Sequence, residues 1–295
     1  ATLRCAVLGA TGAVGCQLLG ELLAARRSWA LVKTLGRRKA VVPPTFEIDA
    51  ENEEESGRLQ QLVVDMETLD DVELFRGVDV VFCALGTTRS AAGSAARFRE
   101  IDYGCVERAA TLAHAAGVRM FSYVSSTGAD ASSWFTYLKV KGEVENMLRD
   151  KGFERVSIFR PGLLNRGSEA RLKEKLASIF MPTIRTLTVA QAMRVEAEQV
   201  LSRPSLRLNG VAPGEEGHDD DDDEEEEEGE EEERKAEATG EALKKTDASE
   251  AGKSTAAAAA DVRTTRDPST LEGPSPYEVF LNPSIISLAS LAPRR

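Results

Sequence analysis

The stretch Leu3-Arg-Cys-Ala-Val-Leu8 runs directly into Gly9-Ala-Thr-Gly12-Ala-Val-Gly15, with Leu18, Leu19, Leu22 and Leu23 at helical spacing beyond it. This reads as strand, tight turn and helix. A glycine turn lets the backbone approach a pyrophosphate, and the helix amino terminus behind it offers unpaired N–H groups and the positive end of its dipole. The spacing is G-x-x-G-x-x-G, a variant of the commoner G-x-G-x-x-G. A glycine cluster by itself is often only a turn; the strand before it and the helix after it point to phosphate. The candidate cofactor contacts here are Gly9, Thr11, Gly12, Ala13, Val14 and Gly15.

The second strand pattern, from Ala30, ends in Leu35-Gly-Arg37-Arg38-Lys39. An NAD-specific site would place an Asp or Glu there for the ribose 2′-hydroxyl. Arg37 and Arg38 instead suit a 2′-phosphate, since guanidinium binds phosphate in a planar, bidentate way, and the expected guest is NADP(H). A solvated basic turn is the alternative. Strand and helix patterns then alternate, as in a parallel sheet covered on both faces. A third strand is expected over Leu62 to Asp65, whose carboxylate could accept from an adenine amino group. A fourth, Val78 to Leu85, enters Gly86-Thr87-Thr88 beside the expected cofactor ribose. Asp65 and Thr87 read equally well as strand-end turn residues. A later strand, Val156 to Phe159, stops at Arg160-Pro161-Gly162, which could line a nicotinamide pocket.

A second motif carries the chemistry. Ser125 closes the apolar run Met120 to Val124, Tyr137 follows twelve positions later, and Lys141 lies four beyond Tyr137. In a helix Tyr137 and Lys141 share a face. A unit charge about 4 Å away is worth roughly 4 kcal/mol at an effective dielectric near 20, which would draw a tyrosine from about 10 toward about 7. Such a tyrosine can move a proton to or from a substrate oxygen, with Ser125 holding the same oxygen. Any helix can carry Tyr and Lys four apart as a solvated face, so this motif depends on the cofactor site for its meaning.

Together, Gly9-Ala-Thr-Gly-Ala-Val-Gly15, Leu35-Gly-Arg-Arg-Lys39, Cys83-Ala-Leu-Gly-Thr-Thr-Arg89, Ser125-Ser-Thr-Gly-Ala-Asp130, Tyr137-Leu-Lys-Val-Lys-Gly-Glu143 and Phe159-Arg-Pro-Gly-Leu163 resemble the atypical short-chain dehydrogenases/reductases. They are most similar to the oxidoreductase family that includes the animal Tat-interacting protein. The resemblance covers residues 1 to about 205 and, less fully, Tyr277 to Leu288. It implies a Rossmann-like domain binding NADPH, with Ser125, Tyr137 and Lys141 in the catalytic positions, and Leu85, Gly86, Thr87, Lys141, Arg160, Pro161 and Gly162 near the cofactor. The family's animal members are tied to nuclear import and transcription and its fungal members to mitochondria; the catalytic reading of Tyr137 makes the substrate a carbonyl compound, and the expected location is cytoplasmic. Ile101-Asp102-Tyr103 departs from the pattern, placing an acid where many relatives supply an Asn to the proton relay.

The chain therefore divides into a Rossmann-like domain (1–212), an acidic low-complexity insertion (213–276) and a strand with an apolar helical tail (277–295) that returns to the domain. The net charge is −12, yet residues 215–233 alone hold sixteen acids and no Lys or Arg, so the rest of the chain nets +4. The acidic run repels nucleic acid and anionic bilayers. It reads as a disordered, self-solubilising spacer, with a tract for a basic protein partner as the alternative. Cys5, Cys16, Cys83 and Cys105 lack C-x-x-C spacing and read as buried thiols rather than disulfides or zinc ligands. His114 and His218 are too few for a metal site. No run is long and apolar enough to span a membrane, and no secretory signal precedes the first strand, although a removed presequence stays open.

Because so few apolar residues in the insertion could join a core, replacing residues 214–274 by a short Gly/Ser linker is expected to leave the melting temperature within a few degrees, about 1 kcal/mol or less for a domain of this size. NADPH binding should survive. Loss of either in calorimetry or titration would show that the tract packs on the domain.

Overall fold

Strand β1 (Leu3–Leu8) is buried on both faces, the mark of a central parallel strand. Its side chains alternate between two cores, Cys5 and Val7 on one and Ala6 and Leu8 on the other. The computed structural model describes residues 2–165, 183–202 and 275–293. The remaining sheet strands are β2 (Trp29–Gly36), β3 (Leu59–Val63), β4 (Val80–Cys83), β5 (Met120–Val124), β6 (Arg155–Arg160) and β9 (Tyr277–Leu281). All pair in parallel in the order β3-β2-β1-β4-β5-β6-β9. The order reverses between β1 and β4, the switch point beside which doubly wound sheets bind ligands. A separate parallel pair joins β7 (Leu163–Asn165) to β8 (Thr183–Arg185).

Helices cover both faces. On one, α1 (Ala13–Ala24) buries Leu18, Leu19, Leu22 and Leu23 completely; each such side chain is worth roughly 1.5–3 kcal/mol of apolar burial. The same core takes Met193 and Ala197 of α7 (Thr186–Leu201) and Ile285 of α8 (Asn282–Ala289). On the other face lie Val106 and Ala110 of α5 (Cys105–Ala115) and Val144 and Leu148 of α6 (Thr136–Asp150). Shorter helices α2 (Ala50–Glu55), α3 (Arg89–Ala92) and α4 (Ala95–Arg99) sit in the connections, and a π-turn (Glu100–Gly104) leads into α5. The fold is the Rossmann-like parallel sheet that the sequence patterns lead one to expect.

Strand bounds differ from expectation, β4 being shorter than Val78 to Leu85 and β3 displaced. Strand β3 begins and ends earlier than Leu62 to Asp65, because its polar residues disguise it: Gln61 accepts from the Ala40 N–H at 2.7 Å, so a strand residue that looks like loop is held by the neighbouring segment. The last strand starts at Tyr277 as expected, but the acidic insertion lies outside the described residues except for its final two, 275 and 276.

The returning strand is fastened by a buried charge cluster. Arg155 of β6 donates to Glu196 of α7 at 3.0 Å, to the Ser275 carbonyl at 2.8 Å and to Glu278 of β9, while Ser157 donates to Glu196 at 2.8 Å. Phe159 and Phe280 stack with centroids 4.8 Å apart. Removing one partner of a buried pair leaves the other charge uncompensated. Arg155→Ala is therefore expected to cost about 3 kcal/mol or more in urea unfolding, whereas the apolar pair Arg155→Met/Glu196→Met should cost less than Arg155→Ala alone. The reverse ranking would refute a burial-driven role for this cluster.

Candidate active site

The turn after β1 is shaped by what its glycines lack. Gly9 adopts φ +80°, and a Cβ there would meet the Ala84 carbonyl at 2.7 Å. A Cβ on Gly15 would lie 2.1 Å from the Gly9 carbonyl oxygen, so α1 can press onto the turn only because this residue has no side chain. The Gly12 N–H donates to the Gly9 carbonyl at 2.9 Å, and α1 starts at Gly12 with no side-chain cap and no acid in its first turn. Its first N–H groups are thus left for an anion.

A cavity of about 450 Å³ opens over this turn. Gly9, Thr11 and Gly12 line it from the turn, Thr34, Arg37 and Arg38 from the end of β2, and Leu85, Gly86 and Thr87 from the end of β4. Met66, Glu67, Ile101 and Cys105 complete the wall. Ala13, Val14 and Gly15 stand behind the turn in α1 and do not line the cavity. Asp65 does not line it either: exposed, it accepts the Glu67 N–H at 3.0 Å, and the adjacent Met66 and Glu67 take the wall instead. Glu67 is itself ion-paired with Arg97 of α4.

The second constellation sits just behind Gly86. Lys141 of α6 is 3% exposed, and its Nζ lies 3.4 Å from where a Gly86 Cβ would be. Its ammonium donates to the Tyr123 hydroxyl at 2.9 Å and lies 3.2 Å from Asp102 Oδ1. The second Asp102 oxygen accepts the Thr87 N–H at 2.8 Å, tying the cavity wall to the lysine. Asp102 Oδ1 receives no aligned hydrogen bond, so its contact with the ammonium is an ion pair. Burial pulls the lysine toward neutrality, but Tyr123, Asp102 and Tyr137 outweigh it and hold the ammonium on, well above the ordinary range. Burial also raises Asp102, against the pull of Lys141 and Thr87, and pushes the Tyr123 phenol up. Cys83, beside them, is pushed up to about 12 by the same cause, and Cys105 to about 11.

Tyr137, in the first turn of α6, is 40% exposed, with its ring 6.0 Å from that of Phe98. Lys141 makes its hydrogen bond to Tyr123 rather than to Tyr137. Ser125, at the end of β5, donates its hydroxyl proton to Glu145, a buried carboxylate that also accepts from Arg160 Nε at 2.9 Å. Pro161 accepts the Thr127 N–H at 3.0 Å, and the Gly162 N–H donates to Asn282 at 2.8 Å. Arg160 and Pro161 thus brace the serine and its loop while Gly162 is tied to α8, and none of the three lines the cavity.

Tyr123 and Glu145 escape motif reading, although both leave a signal in the spacing. Tyr123 lies two before Ser125 on the strand and Glu145 four after Lys141 on the helix, so each shares a face with a motif residue. Gly142 is part of the same arrangement: a Cβ there would lie 2.2 Å from the Ala131 backbone nitrogen, which lets α6 pack against the loop after Ser125.

Among the described residues no helix is long and apolar enough to cross a membrane, and no cluster could hold a metal ion. The family model described as NAD(P)H-binding matches residues 9–198. The chain is 44% identical to Protein HTATIP2 of Rattus norvegicus over 180 residues, 60% of this chain and 70% of that protein. It is 40% identical to Protein FMP52-1, mitochondrial, of Scheffersomyces stipitis over 158 residues, 54% of this chain; the match spans only 66% of that relative's length. Among solved structures, MoeE5 in complex with UDP-glucose and NAD aligns with TM-score 0.52 at 16% identity, covering 70% of this chain and 73% of that one. DesIV, a dTDP-glucose 4,6-dehydratase from Streptomyces venezuelae, aligns with TM-score 0.52 at 19% identity, covering 66% and 72%. These two share the fold. With the glycine turn, the cavity above it, the family match over most of the described chain and the similarity to HTATIP2, the protein belongs to the NAD(P)H-binding family.

Proposed function

We propose that this chain is an NADPH-dependent reductase of a small carbonyl substrate. The observation that carries the reading is the place of the Lys141 ammonium, directly behind the Gly86 wall of the cofactor cavity and one helical turn from Tyr137. The residues present fit a dinucleotide. The turn would be filled by any Cβ at Gly9, α1 offers uncapped N–H groups for the pyrophosphate, and Arg37 and Arg38 stand ready for a 2′-phosphate. When bound, the cofactor supplies a hydride at its nicotinamide ring.

The chain's own residues manage the oxygen. As the carbonyl carbon gains hydride, the π pair moves to oxygen, and Tyr137 gives that oxygen its phenolic proton to complete the alcohol. Lys141 has three N–H donors. One is spent on Tyr123 and one faces Asp102, which leaves the third for the cofactor ribose or the tyrosinate. Ser125 holds the substrate oxygen once its hydroxyl rotor turns away from Glu145. A second reading is a regulatory protein that senses NADPH and turns over little, acting on a basic partner through residues 215–233. It is favoured by the commitment of the Lys141 charge to Asp102 and of the Ser125 proton to Glu145. On either reading the site of action is cytoplasmic or, as the name of the fungal relative says of that protein, mitochondrial.

Trp134 is fully exposed three positions before Tyr137 and Trp29 is fully buried, so the chain carries two tryptophan reporters in contrasting environments for following binding by fluorescence. Such titrations are expected to favour NADPH over NADH by at least about tenfold, or about 1.4 kcal/mol. The double variant Arg37→Ala/Arg38→Ala should lose the preference while keeping NADH affinity. Equal affinities in the parent protein would refute the assignment. For the chemistry, Tyr137→Phe should lower turnover by about 10² on a carbonyl panel with NADPH binding intact. Unchanged turnover would remove Tyr137 from the mechanism, and tight NADPH binding without turnover on any carbonyl would favour the regulatory reading.

A further inference from the structure

Among the described residues that line the dinucleotide cavity, Glu67 is the one acid, and it shares the wall with two cations, Arg37 and Arg38. The three leave neighbouring strand ends, since Gly36 of β2 and Val63 of β3 are register partners. A bare carboxylate there would work against a 2′-phosphate in two ways. It would repel the phosphate directly, and it could pair with Arg37 or Arg38 and withdraw that guanidinium from the guest. In the structure Glu67 is answered from outside the cavity. Arg97 of α4, which does not line the cavity, holds the carboxylate with both terminal nitrogens: Nη2 donates to one oxygen at 2.6 Å and Nη1 to the other. Its own helix sets it there, the Arg97 N–H donating to the capping Ser94 hydroxyl at 3.1 Å. Neighbouring charges answer one another, Arg99 with Glu143 and Arg108 with Glu100, while Arg37 and Arg38 are exposed and make no ion pair among the described residues. With side chains 44% and 26% exposed, the Arg97–Glu67 pair adds little to stability. Its consequence lies in the charge of the cavity wall.

We propose that Arg97 is a positioning residue for cofactor choice: by holding Glu67 it leaves Arg37 and Arg38 uncancelled, and so sustains selection of a 2′-phosphate over a 2′-hydroxyl. The inference rests on the NADPH reading above and deepens it, because it traces the selectivity to a residue outside the cavity. With the pair made, the wall presents two positive charges and one neutralised acid. With Arg97 gone, Glu67 cancels one of the two. Neighbouring strands lie about 4.8 Å apart, inside the Debye length of about 8 Å at physiological salt, so the acid and the arginines feel one another there. The groups stand at a cavity mouth rather than in a core, so added salt weakens the effect.

Titrations of the full chain with NADPH and NADH test this through one ratio, the Kd for NADH divided by the Kd for NADPH, in which any loss common to both dinucleotides cancels. Arg97→Ala should lower that ratio about fivefold at low salt, and by progressively less as salt is raised. Adding Glu67→Gln to Arg97→Ala should restore the parent's ratio, because the effect runs through the freed carboxylate. Arg97→Lys, which keeps the charge, should hold the ratio near the parent's. Should Arg97→Ala fail to fold, Arg97→Gln takes its place with the same expected fall. A fall that Glu67→Gln does not restore overturns the proposal, since Arg97 would then act on the phosphate itself. Equal weakening of both dinucleotides in Arg97→Ala overturns it as well and gives Arg97 a merely structural role. A parent protein that binds NADH as tightly as NADPH would strike the NADPH reading and this inference together; a parental preference that Arg97→Ala leaves unmoved strikes this inference alone.

Discussion

The contact between Gly15 and the Gly9 carbonyl sets the geometry on which the rest of the molecule depends. A methyl group at residue 15 would sit 2.1 Å from that oxygen, well inside any real contact, so α1 would have to back away from the turn. Backing away would pull Leu18, Leu19, Leu22 and Leu23 from a core that spans β1, β2, β4 and α7. It would also turn the first N–H groups of α1 from the cavity. Core packing and phosphate recognition therefore share one constraint, and neither can be adjusted without the other.

From that point the sheet carries the chemistry outward by simple alternation. Residues on one face of β4 and β5, such as Val81, Cys83, Phe121 and Tyr123, look toward α5 and α6, and Ser125 continues the same row. Tyr123, Lys141 and Asp102 meet where that row ends under α6, and Glu145 joins Ser125 to Arg160 one turn further on. The site is a stack of two charged layers, one under the cofactor cavity and one under the serine. Tyr123, Lys141 and Asp102 in one and Ser125 and Glu145 in the other are buried, so the hydrogen bonds among them count for more than they would at a surface.

Much of this was legible in the chain. The β1 turn, the arginines after β2, the strand before Ser125 and the Tyr137–Lys141 pair all fall where apolar runs and i, i+4 spacing place them. The unreadable parts share a physical cause, since each depends on a backbone detail that has no composition signature. The π-turn at Glu100–Gly104 adds a residue to a helical turn and so brings Ile101 to the cavity and Asp102 to the lysine. At the end of β3 the turn made by Asp65 with the Glu67 N–H shows Met66 and Glu67 to the cavity in place of Asp65. In β3 itself Gln61, satisfied by neighbouring segments, makes an edge-side strand look like loop.

The attachment of β9 to β6 gives the sheet an uneven topology in sequence. Arg155 and Ser275 meet although they stand 120 positions apart, whereas β5 and β6 pair across one helix and its loops. Ring-closure entropy rises with the logarithm of the separation, so this one pairing has the most to overcome. It is matched by interactions that work only once both partners are in place: a guanidinium shared among Glu196, Glu278 and a backbone carbonyl, and two stacked phenyl rings. Non-local contacts of this kind slow the approach to the native state. The edge of β6 is consequently the seam at which the polypeptide completes its assembly, and a chain still lacking β9 exposes an unpaired parallel strand edge beside an Arg155 that has Glu196 but neither Glu278 nor the Ser275 carbonyl.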